Sequence, residues 1–532
     1  MTTRSVHRSL IDERSLERLA SRAAVAGGSD RIAVEMPFTG EVLGHVPRGT
    51  KDDMIAACDA ARDAQPAWSA SSVADRAAIL LRFHDLLIAN ADEALDLIQL
   101  EIGKSRAHAF DEVLDTAITA RYYAHITEKT LRPRRRQGAL PVLTVAHEHH
   151  RPRGVVGFIT PWNFPLILSI TDALPALMAG NTAVIKPDSQ TPFTTLWAAA
   201  LLRDAGLPDG VLQIVPGGGA ELGPVLVDEV DYLMFTGSTS TGALLARQAA
   251  SRLIDFSMEL GGKNAALVLD DAPRGLRVAG HDLGISAVAG LAVGIAAHAG
   301  QVCVSCERLY VQDGIYDELV PRLTAALDGL RLGNDLSWDY DLGSLASRDQ
   351  TEKVSAHIQD AVDQGARLLT GGRPRPDLGP YFLEPVLLEE VHDGMHVCRQ
   401  ETFGPVCSVH RFTHVDEAIE LINDCPYGLH ASVWTRDAAR GAGIAARIEA
   451  GTVGVNDAYQ ASWASTSPMG GFKASGVGRR HGRQGLLKYT EPQAVVRQRL
   501  SPVHALPLLD HKQHARVMSA AVRALKYVPG ID

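Results

Sequence analysis

Between residues 154 and 270, short β-rich apolar runs alternate with helical stretches, and no other feature of the 532-residue chain constrains its fold as much. The runs are Gly154–Ile159, Thr182–Ile185, Val211–Val215, Tyr232–Phe235 and Ala265–Leu269. The helical pieces are Asp172–Ala179, Thr194–Ala205 and Gly242–Leu253. Such alternation predicts βαβ units and a parallel sheet. A second α/β block is expected over about 280–470, so the predicted fold class is α/β with two parallel-sheet domains. Upstream, Lys51–Ala70 and Ala74–Gln99 repeat apolar residues at helical spacing, and 51–130 reads as helices. The basic stretch Leu131–Arg136 reads as a solvated linker. Pro141–Val145 and Ala494–Arg499 look like strands, and 501–532 like an appendage with a basic amphipathic stretch at His514–Tyr527.

Composition narrows the function classes. With 62 acidic and 52 basic residues the net charge is −10, which argues against nucleic acid or an anionic membrane as partner. Six scattered cysteines suit a reducing compartment better than a disulfide scaffold. The charged N-terminus does not read as a signal peptide, and Leu283–Gly300 reads as a buried helix rather than a membrane span. A cytoplasmic protein is expected. Alternation would place His147 and His149 on one face of a strand, but no third ligand sits at a metal-binding spacing, so no metal is expected.

Four segments carry residues suited to chemistry. In Ala299-Gly-Gln-Val-Cys-Val-Ser-Cys306, Cys303 follows a glycine corner and is a candidate thiolate nucleophile, although a buried inert cysteine has the same signature. Cys306, three residues on, is a candidate for a reversible disulfide with it or for plain packing. In Met258-Glu-Leu-Gly-Gly-Lys-Asn264, Glu259 is either a buried general base or a surface residue at a strand start. In Thr160-Pro-Trp-Asn-Phe-Pro165, two prolines fix the backbone. They would present the Asn163 amide rigidly, as an oxyanion donor requires, or simply make a turn. Phe235-Thr-Gly-Ser-Thr-Ser-Thr-Gly242 joins a strand to a helix, where Gly237 and Gly242 would let phosphates approach backbone N–H groups.

In order and spacing, these segments resemble the aldehyde dehydrogenase superfamily from about residue 35 to 500. Further matching stretches are Ile185-Lys-Pro187, Glu401-Thr-Phe-Gly-Pro405 and Pro468-Met-Gly-Gly-Phe-Lys-Ala-Ser-Gly476. Glu307–Gly314 and Gly476–Gly482 look like a succinic-semialdehyde dehydrogenase branch. The resemblance implies catalysis by Cys303 as nucleophile, Glu259 as the base that activates water, and Asn163 with the Cys303 N–H as the oxyanion site. For the cofactor it implies Thr160, Pro161 and Trp162 beside the ribose, Lys186 on the adenosine ribose, Gly237, Ser238 and Gly242 at the pyrophosphate, and Glu401 with Phe403 at the nicotinamide ribose. Relatives that prefer NAD commonly carry Glu where Ser189 stands. A hydroxyl can donate to a 2′-phosphate that a carboxylate repels, so NADP is expected as the preferred cofactor, with NAD possible. The implied domains are 1–131 with 153–270 for the dinucleotide and 271–472 for catalysis. An oligomerisation β-arm at 132–152 and 486–500 implies a homodimer or homotetramer.

The chain also departs from that pattern. Arginines that clamp a substrate carboxylate in several relatives fall on Thr171 and Ala297 here. The implied substrate pocket is Leu168, Thr171, Val302, Val304, Trp463 and Met469, a largely apolar lining that fits aliphatic or aromatic aldehydes equally well. Succinic semialdehyde is expected first on branch resemblance. Glu259 speaks against a CoA-acylating relative, and intact Cys303, Glu259 and Asn163 against a silent scaffold. His298 stands where relatives often have Asn and is read as a core residue, with a proton relay as the alternative. Arg480 replaces a Glu of the relatives' proton path.

Overall fold

The computed structural model describes residues 9–28, 30–138, 144–273, 277–278, 281–282, 286–459, 465–499 and 509–527. Its first sheet has five parallel strands in the spatial order Asp255–Glu259, Tyr232–Thr236, Val155–Ile159, Thr182–Lys186 and Leu212–Ile214. Chain order reverses between Val155–Ile159 and Tyr232–Thr236, which makes a topological switch point. In open α/β sheets ligands bind outside the carboxyl ends of the strands at such a point.

Both faces of this sheet are covered, which is why its strands read as continuous apolar runs. Val155, Ile159, Val184, Leu233 and Phe235 pack under helices Lys51–Ala70 and Gly219–Glu229. Val156, Phe158, Ala183, Ile185 and Met234 face the opposite way, into a core shared with helices Val73–Ala89, Ala91–Ile102, Arg106–Leu131 and Pro192–Asp204. The predicted helix over 74–99 is broken near Asn90, whose side chain donates to the Leu86 carbonyl at 2.7 Å.

The second sheet runs Arg367–Thr370, Val386–Glu389, Val406–Phe412, Cys306–Gln312, Asn264–Val268, His430–Trp434, Thr452–Val455. All neighbours are parallel except the first pair. The run Ala265–Leu269 therefore belongs to this sheet and not to the first, and the change of sheet falls at Leu260–Lys263 rather than at 270. The fifth strand of the first sheet is Asp255–Glu259 instead. Gly476–Val477, beyond the expected limit at 472, returns to pair antiparallel with it.

A third, antiparallel sheet is formed by Arg134–Gln137, Thr144–Pro152 and Thr490–Gln498, with Thr490 opposite Pro152 and Gln498 opposite Thr144. Part of the stretch read as a solvated linker is thus an edge strand, because its backbone pairs with Thr144–Pro152 while its side chains stay largely exposed. The helix His511–Leu525 is capped by Asp510 and Gln513 and has no buried side chain. Among the described residues, no helix is long and apolar enough to cross a membrane.

Candidate active site

The strand Asp255–Glu259 ends with Glu259 at the carboxyl edge of the first sheet, and the chain crosses at once into the second sheet at Asn264. The loop before Cys306–Gln312 carries Cys303 to the same place. It is bent by three successive left-handed residues, His298 (φ 48°), Ala299 (φ 51°) and Gly300 (φ 71°). A Cβ on Gly300 would stand 2.1 Å from the Gly404 carbonyl oxygen, so only glycine fits. Asn264 fixes the far side of the turn. Its Nδ2 donates to the carbonyls of Cys303 at 2.8 Å and Ser305 at 2.9 Å, and its Oδ1 accepts from the His430 N–H at 3.0 Å.

Cys303, Glu259 and Asn163 line one cavity of about 190 Å³, together with Pro161, Trp162, Leu168, Gly237, Ser238, Glu401 and Phe403. Asn163 is buried, and one of its amide hydrogens is held by the Gln301 carbonyl at 3.0 Å, which fixes the plane of the side chain. Glu259 is 4% exposed, and neither carboxylate oxygen has a hydrogen-bond partner among the described residues. Burial pushes it up to about 8, against the opposing charges of Arg480 and Lys488. Burial likewise raises the Cys303 thiol to about 12, with Arg480 lowering it and Glu259 and Glu401 raising it. The thiol is therefore protonated at neutral pH and must lose its proton as it attacks.

Glu401 accepts from the Gly262 N–H at 2.8 Å, and a Cβ on Gly261 would sit 2.6 Å from its Oε2. The loop behind it hangs on Glu307, which is paired with Lys263 and accepts from the N–H groups of Thr402 (2.9 Å) and Phe403 (3.0 Å). Phe403 meets Trp162 edge to face at 5.4 Å. Gln350 and Lys353 also line the cavity, and the Gln350 amide donates to the Phe403 carbonyl at 2.6 Å. Asn264, Glu307, Gln350 and Lys353 carry no role in the sequence reading.

Of the other expected residues, Leu168 and Ser238 reach the cavity wall and the rest lie around it. Leu168, Val302, Val304 and Met469 form an apolar cluster with Phe164, Ile167 and Tyr459, against which Cys303 packs. Thr171 is buried, and its hydroxyl faces Arg480. Trp463 lies outside the described residues. Gly242 is not among the residues lining the cavity, but a Cβ there would meet Leu260, which is, at 2.4 Å, so the position admits only glycine. Ser238 caps helix Thr239–Ser251 through the Thr241 N–H. Thr160 is buried and donates its N–H to the Lys186 carbonyl at 3.2 Å.

Lys186 is 4% exposed, and its amine has no partner among the described residues. It stands 3.5 Å from where a Cβ would sit on Gly219, at the start of helix Gly219–Glu229. Ser189 donates to the Gly217 carbonyl at 3.0 Å. A buried, unpaired cation at a helix N-terminus suits an anionic ligand, so this edge of the sheet fits the phosphate-bearing half of a dinucleotide. His298 is buried edge-on against Phe164 at 5.7 Å. Burial and the Lys104 charge hold its imidazole well below the usual histidine range, so it is an uncharged core residue. Cys306 does not face Cys303. Its sulfur is buried 4.0 Å from that of Cys407 on the neighbouring strand, and all six thiols are free.

A thiol, a buried carboxylate and an anchored amide thus meet on one cavity at the carboxyl edge of the first sheet, an arrangement suited to covalent catalysis by a thiol. The aldehyde dehydrogenase family model matches residues 24–495, and the chain belongs to that family. It is 46% identical over 498 residues to a Mycolicibacterium smegmatis protein named "Putative succinate-semialdehyde dehydrogenase [NADP(+)]", covering 93% of this chain and 94% of that one. It is 38% identical over 472 residues to the glutarate-semialdehyde dehydrogenase of Pseudomonas aeruginosa, covering 88% and 94%. The crystal structure of an NADP-dependent enzyme from E. coli superposes with a TM-score of 0.82 at 36% identity, covering 88% of this chain and 95% of that one.

Proposed function

We propose that the chain oxidises succinic semialdehyde to succinate with NADP+ through a Cys303 thioester. The observation that carries the reading is that Cys303, Glu259 and Asn163, from three separate stretches, line one cavity. The Cys303 sulfur attacks the aldehyde carbon as its S–H bond breaks and the proton passes to solvent water, and the carbonyl π electrons move onto the oxygen, which becomes an oxyanion. The free amide hydrogen of Asn163 and the Cys303 N–H receive that charge. The chemistry supplied by bound NADP+ is acceptance of the hydride from the aldehyde carbon. The thioester on Cys303 is then hydrolysed. Glu259 takes a proton from water, the hydroxide adds to the acyl carbon, and the thiolate leaves with the carboxylic acid as product.

The terminal carboxylate of a semialdehyde needs a buried donor, and the arginines that relatives use at positions 171 and 297 are absent. Arg480 answers this. Its Nη2 reaches the Thr171 hydroxyl, and its Nη1 has no partner among the described residues. Lys488 adds a second buried cation to this group, while Asp172 supplies a carboxylate. The names of the relatives support both the semialdehyde and NADP+. The three-stranded arm, with Arg134–Gln137 at its edge, supports assembly into a dimer or tetramer by strand pairing. The free thiols support a reducing, cytoplasmic setting.

Initial rates with succinic semialdehyde, hexanal and benzaldehyde, each with NADP+ and NAD+ and without CoA, test the reading. The highest kcat/KM is expected for succinic semialdehyde with NADP+. A value well below that of the neutral aldehydes overturns the substrate assignment.

A further inference from the structure

The three-stranded arm begins beside a hollow that the proposed reaction does not use. Arg134, the first residue of the edge strand, shares it with the end of helix Arg106–Leu131 and with Arg483 of the short helix Gly482–Leu487. The hollow measures about 490 Å³, within the size range of small-molecule sites. Its wall carries Lys129, Arg132, Arg134 and Arg483, with His125 and Tyr122. Among the described residues no acid lines it.

Four cations thus share one concavity on a chain whose net charge is −10. Elsewhere the arginines find acids: Arg153 meets Asp255 and Glu491, and Arg399 meets Asp393 and Asp424. Lys129, Arg132, Arg134 and Arg483 make no ion pair or side-chain hydrogen bond among the described residues. Glu128, next to Lys129 in the chain, is exposed and does not line the hollow. A helix dipole favours cations at its carboxyl end. That accounts for Lys129 in the last turn of helix Arg106–Leu131 and for Arg132 at its cap. It does not account for Arg134 and Arg483, which arrive from a strand and from a second helix. Like charges gathered from three elements repel one another, a cost that a bound anion removes.

We propose that this hollow is a binding site for a small polyanion of the polyphosphate class, inorganic or carried by a nucleoside. Guanidinium groups match phosphate oxygens in pairs, and here three arginines come from three elements to one space. Lys129, Arg132 and Arg483 are exposed and open to a ligand, while Arg134 is half-buried. Tyr122 adds an aromatic surface that suits a nucleobase. The cations line a concavity rather than a flat face, which favours a small anion over an acidic segment of a second copy.

The test is calorimetric titration of the full chain with inorganic tripolyphosphate and with ATP. Saturating NADP+ and NAD+ are both present, so that the cofactor site is filled. The unaltered protein is compared with the double variant Arg132→Ala/Arg483→Ala and with Arg135→Ala. All three arginines are exposed, so their removal leaves the core intact, and Arg135 adjoins the hollow without lining it. Tripolyphosphate is expected to bind, about a hundredfold more weakly in the double variant, the scale of two lost charge-assisted contacts. Arg135→Ala should weaken it by less than about threefold, since what it removes is only screened surface charge. Tighter binding of ATP supports the nucleoside form, and equal or weaker binding the inorganic one. If Arg135→Ala weakens binding as much as the double variant does, the attraction is diffuse and the inference fails. It fails also if neither anion binds. Dissociation of the assembly by the double variant on gel filtration would then give the hollow to a second copy.

Discussion

Arg480 donates from Nη2 to the Thr171 hydroxyl at 3.0 Å, while its Nε holds Asp172 at 3.1 Å. The guanidinium thus sits beside the position where an arginine is missing from the primary structure, delivered by a residue more than 300 positions downstream. It also acts electrostatically on both Glu259 and Cys303. One buried side chain therefore joins the Thr171–Asp172 corner to the electrostatics of the thiol and the carboxylate.

Replacing this cation should change selectivity more than it changes chemistry. Arg480→Met is expected to lower the ratio of kcat/KM for succinic semialdehyde over hexanal by at least about tenfold, the scale of a charge-assisted contact. The ratio cancels any loss of folded enzyme. Stability should fall as well, by up to about 3–5 kcal/mol, because Asp172 keeps only the more distant of its two cations, Lys488 at 3.8 Å, and the denaturant midpoint measures this. An unchanged ratio removes Arg480 from substrate recognition.

The proton affinity of Glu259 predicts a pH profile. A carboxyl that titrates at about 8 is mostly protonated at pH 7 and cannot accept a proton from water. Wherever hydrolysis limits turnover, kcat should rise with pH, about tenfold per unit below that value, and level off above it. Glu259→Gln should abolish this limb and leave a single burst of NADPH, read by stopped-flow absorbance. Steady turnover with an unaltered profile would exclude Glu259 as the base.

Asn163 offers one amide hydrogen to the reaction, since the other is held by Gln301. Asn163→Ala is expected to lower kcat by about 10²–10³, with little change in KM. A loss confined to KM would mean that the side chain binds substrate rather than developing charge.

Ser189 gives its hydroxyl hydrogen to the Gly217 carbonyl and must release it to serve a phosphate. Ser189→Ala should therefore cost little, whereas Ser189→Glu should invert the NADP+/NAD+ ratio of kcat/KM by placing a carboxylate against the 2′-phosphate. An unchanged ratio in the Glu variant defeats the assignment of this corner.

Much of this architecture is legible in the primary structure, and the parts that are not have physical causes. The first four strands of the first sheet are apolar on both faces and stand out. Asp255–Glu259 does not, because Asp255, Ser257 and Glu259 interrupt it. The polar interruptions are the residues that meet solvent, Lys488 and the cavity, so the strand carrying the base is the one whose pattern is hidden. Ala265–Leu269 looks like its neighbours in sequence yet pairs with Cys306–Gln312, a choice set by long-range partners that periodicity does not encode. Asn264 and Glu307 are similarly silent. Their importance lies in which backbone groups they meet, 39 and 95 residues away. Cys303, Glu259 and Asn163 each leave a bland reading open in their own motifs; the resemblance singles them out together, and the fold brings all three onto one cavity. Gln350 and Lys353 sit on an ordinary-looking helix and join the cavity only through the fold.

The pairing of Gly476–Val477 with the strand that bears Glu259, reinforced by the Leu260 N–H on the Ser475 carbonyl at 2.9 Å, sets an order on biosynthesis. Cys303 is synthesised well before the wall behind its partner base can close, which requires residues 476–477 to have emerged. Nascent and prematurely terminated products therefore carry a thiol without its finished chamber.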